Sequence, residues 1–94
     1  WAIGVDSDQY LTADASVQPY ILTSMLKKVD VAVYETAKAM AEGTFAGGVQ
    51  TFDLERDGVG YATSGDFLGD DVISQLEDLK QQIIDGEITV PTEV

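Results

Sequence analysis

Trp1-Ala2-Ile3-Gly4-Val5-Asp6-Ser7-Asp8-Gln9 opens the chain, a short apolar run that stops at four polar residues. A run with no polar alternation belongs to a strand buried on both faces, as in a parallel sheet. Polar residues just beyond the carboxyl end of such a strand lie where ligands usually sit in open α/β folds. Working outward, Tyr10 to Pro19 is mixed and turn-like, and the residue before Pro19 is expected to be extended. Tyr20-Ile21-Leu22-Thr23-Ser24-Met25-Leu26 predicts a second strand, with Lys27-Lys28 at its exit. A chain that is already inside a strand at Trp1 is expected to be a piece of something larger.

From about residue 28 to Glu42 the period becomes helical. Val29, Val33, Ala37 and Met40 form one apolar stripe, Asp30 sits in the first turn, and Gly43 is placed for a left-handed cap. Val49 to Leu54 alternates, Glu55-Arg56-Asp57-Gly58 reads as a turn, and Val59-Gly60-Tyr61-Ala62 as a returning strand, which predicts a hairpin. Thr63 to Gly69 is loop. Asp70 or Asp71 is positioned to cap a second helix, whose stripe is Val72, Leu76, Leu79 and Ile83. Gly86 ends it, and Glu87-Ile88-Thr89-Val90 reads as a closing strand before Pro91. The order strand, strand, helix, hairpin, helix, strand predicts an α/β fold with parallel pairing across at least one helix. Its sheet is incomplete, and extra chain or a second copy is expected to cover it.

Composition sets the outer limits. Ninety-four residues allow one domain at most, and 45% hydrophobic with 23% charged residues is a globular balance. Five basic against 17 acidic residues give a net charge of −12, which makes nucleic acid and anionic membrane poor partners. With no histidine and no cysteine, disulfides, thiolate nucleophiles and His-based triads are excluded. No apolar run approaches the ~18 residues of a membrane-spanning helix.

The short motifs do not build an enzyme. Asp6-Ser7-Asp8-Gln9 begins like a calcium loop, but Leu11 stands at the glycine position and Tyr10 and Val17 at ligand positions. Ser24-Met25-Leu26-Lys27 matches the S-x-x-K acyl-transfer pattern without its partner elements. Thr63-Ser64-Gly65 lacks the glycines of a nucleophile elbow, and Gly58-Val59-Gly60 lacks the third glycine of a dinucleotide fingerprint. What remains is a lysine leaving the second strand and an aspartate leaving the first. Facing one crevice, they offer a donor and an acceptor suited to a neutral polyol such as a ribose. Lys28 is expected to be solvated.

Gly4-Val5-Asp6-Ser7-Asp8-Gln9 and Leu22-Thr23-Ser24-Met25-Leu26-Lys27-Lys28-Val29-Asp30-Val31-Ala32 resemble the basic membrane lipoprotein family of PnrA-like purine nucleoside receptors. Asp57-Gly58-Val59-Gly60 and Gly86-Glu87-Ile88-Thr89-Val90-Pro91-Thr92 extend the likeness over nearly all of the chain. The resemblance implies a type I periplasmic-binding-protein fold of two Rossmann-like lobes closing by hinge motion. Residues 1–94 would be its C-terminal portion, incomplete alone, crossing the hinge near 24–29 and 50–60. The implied function is solute binding for an ABC importer, without catalysis and without a cofactor or metal. A purine nucleoside is the implied ligand and a membrane permease with its ATPase the implied partner. The implied location is the cell surface or periplasm, as a lipoprotein whose anchor is not in these residues. By the same likeness Asp6 and Lys27 contact the ribose, while base-stacking aromatics come from earlier in the receptor. The isolated chain is therefore expected to bind nucleosides weakly or not at all. The alternative expectation is a self-associating structural unit, a homodimer of this fragment.

Overall fold

The first polar break in the chain is also the first structural boundary. In the computed structural model, which describes residues 1–93, strand β1 covers Ala2–Asp6 and is followed by a single helical turn, α1, at Gln9–Thr12. Asp8 caps that turn by accepting from the Tyr10 N–H at 3.2 Å. A 3-10 turn at Gln18–Tyr20 leads into β2, Ile21–Lys27. Gln18 is thus drawn into a turn where extended backbone was expected. Its side chain donates to the Tyr10 carbonyl at 2.8 Å, and Pro19 suits an early position in the turn.

Helix α2 runs Val29–Glu42 and α3 runs Asp70–Ile84, as the two apolar stripes predict. Gly43 at φ 73° ends α2, its N–H reaching back to the carbonyls of Ala39 and Met40. The N-cap of α3 is Gly69 rather than an aspartate; Asp70 and Asp71 lie in the first turn, where their charge meets the positive end of the helix dipole. Beyond Ile84, Gly86 turns at φ 79°.

The sheet has three strands in the order β1-β2-β3, with β3 at Val59–Tyr61. β1 and β2 run parallel, Asp6 lying opposite Leu26, while β2 and β3 run antiparallel, Lys27 opposite Val59. The parallel pair is bridged by the short α1 and the 3-10 turn, whereas the long α2 links the antiparallel pair. Two expected strands are absent. Val49–Leu54 forms no hairpin: the segment folds on itself, with Arg56 donating to the Thr51 carbonyl at 3.0 Å and stacking over the Phe52 ring at 4.1 Å, and Val59–Tyr61 takes the free edge of β2 instead. Residues 87–90 wind back on α3, with the N–H groups of Glu87 and Ile88 both donating to the Gln82 carbonyl.

The interior is thin. Among the described residues only Gly4, Ser24, Gly58 and Ala62 are buried. The stripe of α2 is bare: Val33 is 63% and Met40 62% exposed. The radius of gyration is 15.9 Å, against about 12 Å for a compact chain of this length. The apolar face of α3 is only half-covered, Leu76 and Ile83 being of intermediate exposure, so the incompleteness read from the sequence is a feature of the folded chain.

Candidate functional site

β1 and β2 end side by side, and this decides where the site residues go. Parallel pairing brings the carboxyl ends of both strands to one edge, so Asp6, opposite Leu26, stands beside the next residue, Lys27. The Lys27 Nζ lies 2.8 Å from Asp6 Oδ1. The two charges that the sequence singled out are therefore in direct contact. They sit in the open: the Asp6 side chain is 68% and the Lys27 side chain 57% exposed. The two side chains thus meet each other directly rather than facing across a crevice, and neither lines the groove between β3 and α3.

Asp6 is held in an uncommon backbone geometry. It has φ 75°, a left-handed value rare outside glycine, and the Ser7 N–H donates across it to the Val5 carbonyl at 3.0 Å. Such a three-residue γ-turn is strained. Strain of this kind persists where the surroundings over-determine it, and it concentrates at functional positions.

The surroundings are a small buried frame. Ser24 is fully buried, 0% exposed, and its Oγ accepts the Gln9 N–H at 3.1 Å. Gly4 packs directly under it; a Cβ at Gly4 would collide with the Ser24 hydroxyl and press on the Gln9 side chain. This assigns the serine of the S-x-x-K pattern to the frame: its hydroxyl is engaged and sealed from solvent, and it is not placed to attack anything. Asp8 is drawn inward as well, accepting from the Ser64 hydroxyl at 2.9 Å, which ties the 63–69 loop to α1.

A second acid–base pair was not anticipated. Lys28, expected to be solvated, donates from Nζ to the Asp57 carboxylate, and its backbone N–H donates to the Gly58 carbonyl at 2.9 Å. The hydrogen bond from Lys28, then its charge, holds the Asp57 carboxyl below its ordinary value. This pair lies at one end of a groove of about 630 Å³ between β3 and α3. At that groove the Tyr61 hydroxyl donates to Glu77 at 2.7 Å, a bond that raises the phenol above its usual value. The signal that was available for Asp57 is the Asp-Gly dipeptide of a turn; what it could not reveal is which lysine that turn would face. Among the described residues no group of three or more acidic side chains is arranged to hold a metal ion.

Comparison with known proteins places the chain among transport proteins of one family. The family model described as ABC transporter substrate-binding protein PnrA-like matches residues 1–93. A Listeria monocytogenes protein named CD4+ T-cell-stimulating antigen is 40% identical over 97 residues, covering 97% of this chain and 27% of that protein. A Lactococcus lactis protein named ABC transporter nucleoside-binding protein BmpA is 35% identical, over 98% of this chain and 27% of its own length. A Pyrococcus abyssi relative named as a lipoprotein is 43% identical over 60 residues, 64% of this chain and 14% of that protein. Among solved structures, an ABC transporter solute-binding protein of Aeropyrum pernix superposes with a TM-score of 0.65 at 27% identity, covering 99% of this chain and 33% of that one. The chain thus spans about a quarter to a third of the length of the Listeria, Lactococcus and Aeropyrum proteins.

Proposed function

The chain belongs to the family of PnrA-like ABC transporter substrate-binding proteins, and from that premise we propose that it is the C-terminal part of a two-lobed receptor that captures a purine nucleoside for import. The observation that carries the reading is the contact of Asp6 with Lys27 at the shared carboxyl edge of β1 and β2. A carboxylate and an ammonium that neutralise each other attract no net charge. They offer an acceptor and a donor at sugar-hydroxyl spacing, which favours an uncharged polyol over a nucleotide or an acidic solute. In the receptor the facing lobe would enclose this edge, exclude water and supply the surfaces for the base.

The adjoining segments fit the hinge of such a receptor. Residues 25–28 pair with residues 58–61 through the β2–β3 ladder and the Lys28 to Gly58 bond, so the crossings near 24–29 and 50–60 meet there and would bend together. The bare stripe of α2 is then the face covered by the first lobe. The receptor would work at the cell surface or in the periplasm as a membrane-anchored lipoprotein, delivering ligand to a permease.

The test is calorimetric titration of the full-length receptor with inosine. Asp6→Ala removes a charged acceptor from a ligand hydroxyl and is expected to weaken binding by about 1.5–3 kcal/mol; unchanged affinity would sink the reading. The isolated chain lacks the stacking surfaces, each worth roughly 1–3 kcal/mol per base, and is expected to show no micromolar affinity. The exposed α2 stripe favours one other reading for the isolated chain, association with a second copy, opposed by −12 charges on each. A strict monomer by light scattering at high concentration removes it.

A further inference from the structure

We propose that Gln9 is a positioning residue for ligand recognition, holding the Asp6 carboxylate in place without touching the ligand itself. The inference rests on the reading of Asp6 as the acceptor for sugar hydroxyls. Asp6 occupies a backbone conformation it would not keep unaided, so something must secure the turn.

The Val5 carbonyl is where that turn is closed. It accepts the Ser7 N–H at 3.0 Å and also the Gln9 side-chain amide, Nε2, at 3.0 Å. Gln9 is itself pinned from behind, since its backbone N–H donates to the fully buried Ser24 hydroxyl. Its side chain lies against the bare face of Gly4, where a Cβ would meet both Gln9 and Ser24. One residue therefore links the buried floor of the sheet to the carbonyl on which the Asp6 turn is hung. Hydrogen bonds to hydroxyls are directional, and a recognition group held by a locked neighbour keeps the geometry that a loose one loses. No other side chain among the described hydrogen bonds reaches the Val5 carbonyl.

Gln9→Leu keeps the backbone bond to Ser24 and removes only the amide donor. The full-length receptor is titrated with inosine and with 2′,3′-dideoxyinosine, which lacks both ring hydroxyls. The expected result is a loss of about fivefold to tenfold for inosine, with dideoxyinosine unchanged within about twofold and the unfolding midpoint preserved. In an Asp6→Ala background the same substitution is expected to change inosine affinity by less than about twofold, because the group it positions is gone. Gln9→Glu, which replaces the donor by an acceptor facing the same carbonyl, should reproduce the loss. Equal weakening of both nucleosides, an undiminished effect in the Asp6→Ala background, or no effect at all would overturn the proposal. The underlying reading fails separately: if Asp6→Ala leaves inosine affinity intact, or the wild-type receptor ignores inosine, the site assignment falls whatever Gln9 does. If Asp6→Ala weakens binding and Gln9→Leu does not, only the positioning role is lost.

Discussion

Lys27 and Lys28 are adjacent, and each ends on an aspartate held at positive φ, Asp6 at 75° and Asp57 at 55°. Their destinations are opposite. β2 is the central strand of the order β1-β2-β3, and Lys27 reaches across to the end of β1 while Lys28 reaches toward the turn that precedes β3. The Lys27 pair stands in the open at a sheet edge. The Lys28 pair is reinforced by a backbone bond to Gly58 and by its place at the groove under α3. The contrast teaches that charge identity alone assigns no role: one pair stands exposed at the shared end of two strands, and the other, beside a backbone bond, ties the end of β2 to the turn before β3.

That division can be broken, most forcefully through the glycine beneath the structural pair. A Cβ on Gly58 would run into the backbone of Phe52, which has no rotamer to yield. Gly58→Ala is expected to cost about 3 kcal/mol of stability, read as a lowered denaturation midpoint of the full-length receptor. Next is the frame beneath the Asp6–Lys27 pair. Ser24→Ala leaves the Gln9 N–H without its buried acceptor, and about 1–2 kcal/mol should be lost in denaturant unfolding. A stability unchanged by this substitution would show that the frame is not what secures Asp6.

Lys28→Gln sharpens the comparison. It should lower the melting temperature by less than Ser24→Ala does, since exposed ion pairs contribute little, and leave inosine affinity within about twofold. An affinity loss matching that of Lys27→Gln would erase the distinction between the two lysines. The smallest effect is a pH dependence. The folded-state value of Asp57 is depressed by Lys28, so its stabilising contribution is present above the ordinary carboxylate range near ~3.9. It fades as pH falls through the depressed value. Acid unfolding of Asp57→Asn should accordingly begin from a slightly less stable state and show a shallower decline below about pH 4.

Much of the site was legible because parallel pairing is a short inference from local pattern. An apolar run broken at Asp6 and another broken at Lys27 are enough to bring two strand ends together once the strands are neighbours. The partner of Asp57 was not legible, since it depends on which edge of β2 a distant segment occupies, and that of the Gln9 N–H depends on how α1 lies against β2. The alternation of Val49–Leu54 is a strand signal that the fold does not use; Arg56 instead folds back on Thr51 and Phe52. Val59–Tyr61 is the segment that pairs with β2 in this chain. At 87–90 the first two N–H groups, of Glu87 and Ile88, are taken by the Gln82 carbonyl of α3, and no strand forms.

Local chemistry therefore determined the elements that need only their own neighbours, namely the two long helices, their stripes and the strand exits that carry charge. Those follow from side-chain period and chain stiffness, which act over a few residues. Tertiary structure decided which lysine meets which aspartate, and that the Ser24 hydroxyl is sealed from solvent and engaged by the Gln9 N–H. Such outcomes depend on contacts between segments 15 to 29 residues apart, and their energies exist only after the chain has closed those loops.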